Sequence, residues 1–156
     1  MKRVIIILCL LFSLFLVGCQ STNNNKNSLL NYVLMGDDTY CVTAASDFKG
    51  RKKIIIPATY NGKSVTKISD SAFSNGYMLE NIVIPASVTS IGDYAFEGCL
   101  SLTSIVIPES VTSIGKRAFA TNNFVFTIYC EVSSKPSGWR NDWNGDNNQV
   151  IWGYKG

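Results

Sequence analysis

The chain has 156 residues, enough for one domain with a hydrophobic core; 46% of them are hydrophobic and only 16% are charged. It contains no histidine, which removes the usual base of nucleophilic catalysis and the commonest zinc ligand. The net charge of +3 falls close to zero without the basic pair at the start, and this argues against nucleic acid as a partner, because phosphate binding needs a basic face.

The first 18 residues have the pattern of a bacterial export signal. Lys2 and Arg3 precede an apolar run over residues 4–17, which is short for a bilayer crossing. The run ends in Leu-Val-Gly-Cys, which resembles a bacterial lipobox and implies that Cys19 carries a diacylglyceryl group after cleavage. We therefore expect export and lipid anchoring in the bacterial cell envelope, facing outside the cytoplasm. An uncleaved apolar anchor with an incidental cysteine is the alternative.

Residues 19–28 are polar after the cysteine and have no aromatic residue, so they are predicted to be a flexible tether. The folded part is expected to begin with an N-terminal cap and first strand over residues 29–56. Repeats should follow over residues 57–130, and a tryptophan-rich C-terminal cap over residues 131–156.

The middle of the chain repeats itself every 23 residues. Phe73, Phe96 and Phe119 form one column at this spacing. The other columns are Val65, Val88 and Val111; Ile68, Ile91 and Ile114; Ala72, Ala95 and Ala118; and Leu79, Leu102 and Val125. No unit can bury its apolar face alone, so the columns are predicted to be core and each Phe to stack on the next.

Within a unit, LTSIVIPESVTSIGKRAF (residues 102–119) has a leucine-rich-repeat strand pattern and resembles the BspA-like repeats of bacterial surface proteins. The resemblance covers about residues 50–156. It implies a β-dominated leucine-rich-repeat solenoid with short helical or 3₁₀ turns, about three to four repeats, and caps at both ends. The first unit is five residues longer, and Asn61-Gly62 predicts a tight hairpin turn there.

The outward positions of the predicted strands form an aliphatic and aromatic stripe beside a polar column. They are Lys53, Ile55, Asn81, Val83, Ser104, Val106, Thr127 and Tyr129. Such a surface is typical of protein binding, although the apolar side chains could instead only shield one another. The resemblance implies a non-enzymatic adhesion role towards host or neighbouring-cell proteins. We expect an extracellular or host-matrix protein as the partner, and a monomer.

The C-terminal aromatic residues offer a second hypothesis. Trp139, Trp143, Trp152 and Tyr154 could stack on sugars of the cell envelope, but tryptophans are more often buried, here as a cap. The oxygen-rich run from Asp142 to Asn148 lacks the glycine and glutamate of a calcium loop and is interpreted as a polar turn. No metal or cofactor is expected.

No catalytic residue is predicted. Ser64 and Lys67 match a Ser-x-x-Lys motif, but they lie in the repeat rather than at a helix start. Asp93 becomes Lys116 one unit later, which is typical of solvated surface. Cys99 and Cys130 are interpreted as buried small residues, and the spacing of the cysteines does not match a metal motif.

Overall fold

The computed structural model describes residues 29–120, 122–123 and 125–156. The predicted export signal, Cys19 and the tether lie outside the described residues. The strands are β1 (Leu30–Leu34), β2 (Tyr40–Ala44), β3 (Lys53–Ile55), β4 (Thr59–Tyr60), β5 (Lys63–Ile68), β6 (Asn81–Val83), β7 (Ser90–Ile91), β8 (Ser104–Ile107), β9 (Ser113–Ile114), β10 (Thr127–Cys130) and β11 (Gln149–Trp152).

Each turn of the chain adds one parallel strand to a sheet along one side of the molecule. Strand β3 pairs with β6, and β8, β10 and β11 pair in that order, with repeat-related residues opposite each other. Strands β6 and β8 lie side by side. The predicted β-dominated solenoid is confirmed, but it has about five turns rather than three to four, because β11 adds a row that lacks the repeat residues.

The second sheet lies on the opposite side of the core and has the order β1-β2-β5-β7-β9. The hairpin β1-β2 closes its first end, and Trp139 continues the other end by bridging to Ile114. Strand β4 pairs antiparallel with β5 around Asn61-Gly62, both with positive φ, 47° and 75°. The predicted hairpin turn is therefore confirmed, since two residues with positive φ form the type of turn that tight hairpins prefer.

A stack of phenylalanine rings runs through the core. The centroids of Phe73 and Phe96, and of Phe96 and Phe119, are 5.4 Å apart, and the rings are nearly parallel at 7° and 8°. Phe48 closes one end of the stack at 82° and Trp143 closes the other at 87°. The predicted Phe-on-Phe packing is confirmed.

The short helical or 3₁₀ turns expected between strands reduce, around Ala118-Phe119, to a single turn in which the N–H of Ala120 donates to the carbonyl of Arg117 at 3.2 Å. The N–H of Phe73 donates to the carbonyl of Ala95, and that of Phe96 to the carbonyl of Ala118, both at 2.8 Å. A helix would keep these donors within one turn, whereas here they join successive layers. Within the described residues, the one 3₁₀ segment is Phe48–Gly50, at the start of the array.

Two other expectations need correction. The 23-residue spacing predicts Val125 in the core column of Leu79 and Leu102, but Val125 is 68% exposed. The larger Phe126 takes the buried place one residue later, 6.2 Å from Phe119. Asp93 is more than solvated surface, because its carboxylate accepts the N–H of Lys116 at 2.7 Å and so joins two layers.

Candidate functional site: the outward face of the parallel sheet

The outward side chains of the parallel sheet form two columns that cross the strands. Alternation along each strand buries the middle residue and turns its neighbours to solvent. The apolar column holds Ile55, Val83, Val106, Tyr129 and Ile151, and the polar column holds Lys53, Asn81, Ser104, Thr127 and Gln149. The structure therefore brings together all eight residues predicted for the binding face. We call the apolar column the stripe.

Strand β11 extends this face by Gln149 and Ile151, which sequence reasoning missed. Gln149 lies opposite Thr127, so the last row follows at a spacing of 22 residues rather than 23. The hydroxyl of Thr127 donates to Oε1 of Gln149 at 3.3 Å, which continues the polar column into the new row. The signal available in the sequence was the short Gln-Val-Ile-Trp run after an Asn- and Gly-rich turn.

The exposed fraction of each stripe side chain distinguishes a surface open to a partner from one in which the side chains only shield one another. The exposed fraction is 60% at Ile55 on the edge strand, 44% at Val83 and 37% at Val106 in the middle. Neighbouring strands lie about 4.8 Å apart, so each side chain covers part of the next, and the fall in exposure reflects that cover. More than a third of every one of these side chains nevertheless contacts solvent.

The four aromatic residues of the second hypothesis do not form one open site. Trp139 and Trp143 are buried, and the Nε1–H of Trp139 donates to the carbonyl of Val111 at 3.0 Å. Trp152 is 36% exposed and packs against both, with ring centroids 5.8 and 6.3 Å away. Tyr154 instead packs on Tyr129 of the stripe, at 4.8 Å. Only Trp152 and Tyr154 remain accessible to a sugar.

The three cysteines of the described residues, Cys41, Cys99 and Cys130, have buried thiols. The Cys99 thiol donates to the carbonyl of Phe73 at 3.3 Å, and burial raises its pKa to about 12. Burial also raises the pKa of Cys130 to about 12. Cys41 is buried with its Sγ 2.9 Å from Oγ of Ser69. A thiolate is the reactive form, so Cys99 and Cys130 stay protonated and inert at neutral pH.

The polar run near the C-terminus closes the last turn of the array. Asn148 donates its backbone N–H to Oδ1 of Asn144 at 3.1 Å and its side-chain amide to the carbonyl of Phe119 at 2.9 Å. No group of three or more potential metal ligands occurs in the part of the chain that the structure describes. Ser64 lies in β5 opposite Thr59 and not at a helix start. Among residues 29–120, 122–123 and 125–156, no helix has the length and apolarity needed to span a bilayer.

Comparison with known families agrees with this architecture. The profile described as the BspA type leucine rich repeat region, in six copies, matches residues 48–135, more than half of the chain. The chain belongs to this family. BspA-type leucine-rich repeats are generally protein-interaction modules and are typically non-enzymatic. The leucine-rich-repeat solenoid predicted from the sequence is thereby confirmed.

Solved structures show the same fold. A leucine-rich repeat protein from Eubacterium ventriosum is 26% identical with a TM-score of 0.51, covering 78% of this chain and 33% of its own. A leucine rich cell surface protein from Faecalibacterium prausnitzii is 21% identical with a TM-score of 0.52, covering 81% of this chain and 38% of its own. This BspA-type chain thus spans about a third of the length of these two proteins. No curated protein matches the sequence at a significant level.

Proposed function

We propose that this BspA-type repeat protein is a non-enzymatic, lipid-anchored protein of the bacterial cell envelope whose stripe binds another protein, as an adhesin towards host or neighbouring-cell proteins. The stripe carries the proposal, because exposed aliphatic side chains occupy it on four of its five strands, and the half-buried Tyr129 occupies it on β10. Soluble proteins seldom keep such a row without a partner. The Cys19 lipobox and the description of the Faecalibacterium prausnitzii protein as a cell surface protein support the location.

The stripe favours weak, additive binding. Five rows about 4.8 Å apart give a face about 20 Å wide, which is small for a protein interface. A single domain is therefore expected to bind weakly, and a membrane densely covered with lipid-anchored copies would bind through avidity. The polar column, with Lys53 as its charged member, supplies the hydrogen-bonding rim that surrounds the apolar centre of most interfaces.

The test uses the soluble domain, residues 29–156, because these residues contain the whole hydrophobic core and both end-closing layers. The domain is presented at high density to immobilised extracellular matrix proteins and envelope glycans. Val106→Glu places a charge at the centre of the stripe. Val125→Glu is the matched control, since Val125 is a more exposed valine outside the stripe.

Binding to a matrix protein that Val106→Glu loses and Val125→Glu keeps would support the proposal. Equal binding by both variants would reject the stripe as the binding site. Binding to glycans that Trp152→Ala loses and Val106→Glu keeps would transfer the function to the accessible aromatic residues, Trp152 and Tyr154, which is the carbohydrate alternative. Thermal unfolding of each variant establishes that the fold is intact.

A further inference from the structure

The loops that lead into the parallel strands form a second exposed surface, which neither the repeat pattern nor the stripe explains. We call it the amino edge: residues 49–52, 77–80, 100–103, 122, 123 and 125. Leu79 and Leu102 in these loops point into the core, whereas Tyr77, Met78, Leu100 and Val125 are each about half exposed or more. They lie at the ends of the strands, whereas the stripe lies on the face of the sheet.

Hydrogen bonds between successive loops fix the amino edge as one continuous surface. The backbone N–H groups of Glu80 and Asn81 donate to the carbonyl of Lys52 at 2.8 and 2.9 Å. The Ser101 hydroxyl donates to the carbonyl of Tyr77 at 2.6 Å, and the Asn123 amide to that of Leu100 at 3.2 Å. Four consecutive loops are thereby held side by side.

The first of these loops is basic. Lys49, Arg51 and Lys53 are exposed, and Lys52 pairs with Glu80 at 2.8 Å. Within the amino edge, the positive Lys49, Arg51 and Lys52 accompany one negative side chain, Glu80, and Asp47 and Lys53 flank the loop. Positive charge and exposed apolar side chains are therefore neighbours on one edge.

We propose that the amino edge docks on an anionic phospholipid surface, with Tyr77, Met78, Leu100 and Val125 entering the interface and the basic loop binding headgroups. Peripheral membrane binding combines buried apolar area with attraction of Lys and Arg to anionic lipids, and tyrosine suits the interface because it is apolar with a polar tip.

Docking by the amino edge has a geometric consequence for the stripe. The edge lies at the ends of the parallel strands, so its contact with a membrane would stand the strands roughly along the membrane normal. The stripe runs across the strands and would remain exposed to the side. The proposal rests on different residues from the stripe and stands whether or not the stripe binds protein.

The experiment measures co-sedimentation of the soluble domain, residues 29–156, with vesicles. One set contains equal parts of phosphatidylcholine and phosphatidylglycerol, and the other contains phosphatidylcholine alone. We expect binding to the anionic vesicles, weakened by salt, and at least ten-fold weaker binding to the neutral ones. The charge-reversing double variant Lys49→Glu/Arg51→Glu should weaken anionic binding by more than the roughly five-fold per basic residue that a surface lysine or arginine contributes.

The apolar part is tested by a matched pair of variants. Val125→Glu should weaken vesicle binding about ten-fold, whereas Val106→Glu, on the stripe, should leave vesicle binding unchanged. Leu100→Ser removes apolar area without adding charge and should act in the same direction as Val125→Glu. No binding to anionic vesicles, or binding that Val125→Glu and Leu100→Ser both retain, would overturn the proposal. So would a result in which Val125→Glu abolishes capture of a protein but not of vesicles.

Discussion

The middle of the array and its two ends solve the same packing problem in different ways. In the middle, the rings of Phe73, Phe96 and Phe119 are parallel. Each ring therefore contacts the ring of the next unit in the same way as it contacts the ring of the previous unit. At the ends, Phe48 and Trp143 lie nearly perpendicular to Phe73 and Phe119, at 82° and 87°, and Phe126 packs on Phe119 at 29°. A parallel ring allows a further unit to add, whereas a perpendicular ring covers the stack with its edge.

The backbone shows the same difference. In the middle, turn N–H groups donate to the next layer, as from Tyr94 to the carbonyl of Lys116 at 2.9 Å. At the C-terminal end such bonds continue, as from Arg117 to the carbonyl of Asp142 at 3.0 Å. Side chains outside the repeat pattern add to them: the Asn148 amide donates to the carbonyl of Phe119, and the Trp139 ring to that of Val111. Repetition therefore gives the array its length, and side chains outside the repeat pattern decide where it ends.

The largest loss of stability is expected when one aromatic ring is removed from the middle of the array or from its end. Comparing the two losses distinguishes stacking within the array from closure of its end. Phe96→Ala leaves a cavity between two stacked rings and should lower the free energy of unfolding by about 3–5 kcal/mol. Trp143→Ala should cost about 3 kcal/mol, because the open end can partly collapse. Urea unfolding followed by circular dichroism measures both values.

Amide hydrogen exchange distinguishes the two losses. Because each unit contacts only its neighbours, Trp143→Ala should lose protection mainly in β10, β11 and the closing turn, whereas Phe96→Ala should lose it throughout. Trp152→Ala is the control, since Trp152 is the partly exposed member of the tryptophan cluster and should cost less than Trp143. Uniform loss of protection in Trp143→Ala would contradict the nearest-neighbour view of the array.

A smaller effect is expected where the layers approach most closely. A Cβ added at Gly115 would lie 2.3 Å from Oδ1 and 2.5 Å from the backbone N of Asp93. Gly115→Ala must therefore push apart the two layers that Asp93 joins and should destabilise the protein by about 1–3 kcal/mol. Gly36→Ala is the matched control, because nothing lies within 4 Å of a Cβ at Gly36 and its φ is not positive.

Thermal and urea unfolding of these two variants tests the close approach directly. Gly36→Ala should stay within about 0.5 kcal/mol of the parent, as most surface substitutions do. If the two variants were equally stable, the separation of adjacent layers would be adjustable, and the repeat would need no glycine at this position.

The regular part of the fold was predictable because identical residues recur at one spacing. The Phe, Val, Ile and Ala columns identified the core, and alternation along each strand identified the eight outward residues. A short periodic pattern is sufficient for this, since every unit has the same neighbours and must bury the same face.

Prediction failed where the period changed. Strand β11 and its outward residue Ile151 were not predicted, because β11 follows β10 at a spacing of 22 residues. The core position expected for Val125 is occupied by Phe126, one residue later. The amino edge was missed for another reason: Tyr77, Met78 and Leu100 occupy variable loop positions, where exposed apolar residues follow no period. Only the bonds between loops show that these residues form one surface.

The smallest effect on stability at neutral pH is expected from two buried thiols, Cys99 in the middle of the array and Cys130 in the last repeat row. Burial raises the pKa of Cys99 and of Cys130 from 9.0 to about 12. Because the pKa values are higher in the folded protein than in the unfolded chain, the folded state is favoured by these groups below pH 9. That contribution is lost as the pH rises from 9 towards 12.

Thiol labelling and pH-dependent unfolding together check this prediction. At pH 8 an aromatic disulfide reagent should modify Cys99 and Cys130 only after the domain unfolds, with the sites identified by mass spectrometry, since the thiolate is the reactive form. In Cys99→Ala/Cys130→Ala, the free energy of unfolding should fall less steeply above pH 9 than in the parent. Rapid labelling of the folded parent at pH 8 would mean that the layers around Phe73 and Ile107 open readily, and that the middle of the array is no more tightly closed than its ends.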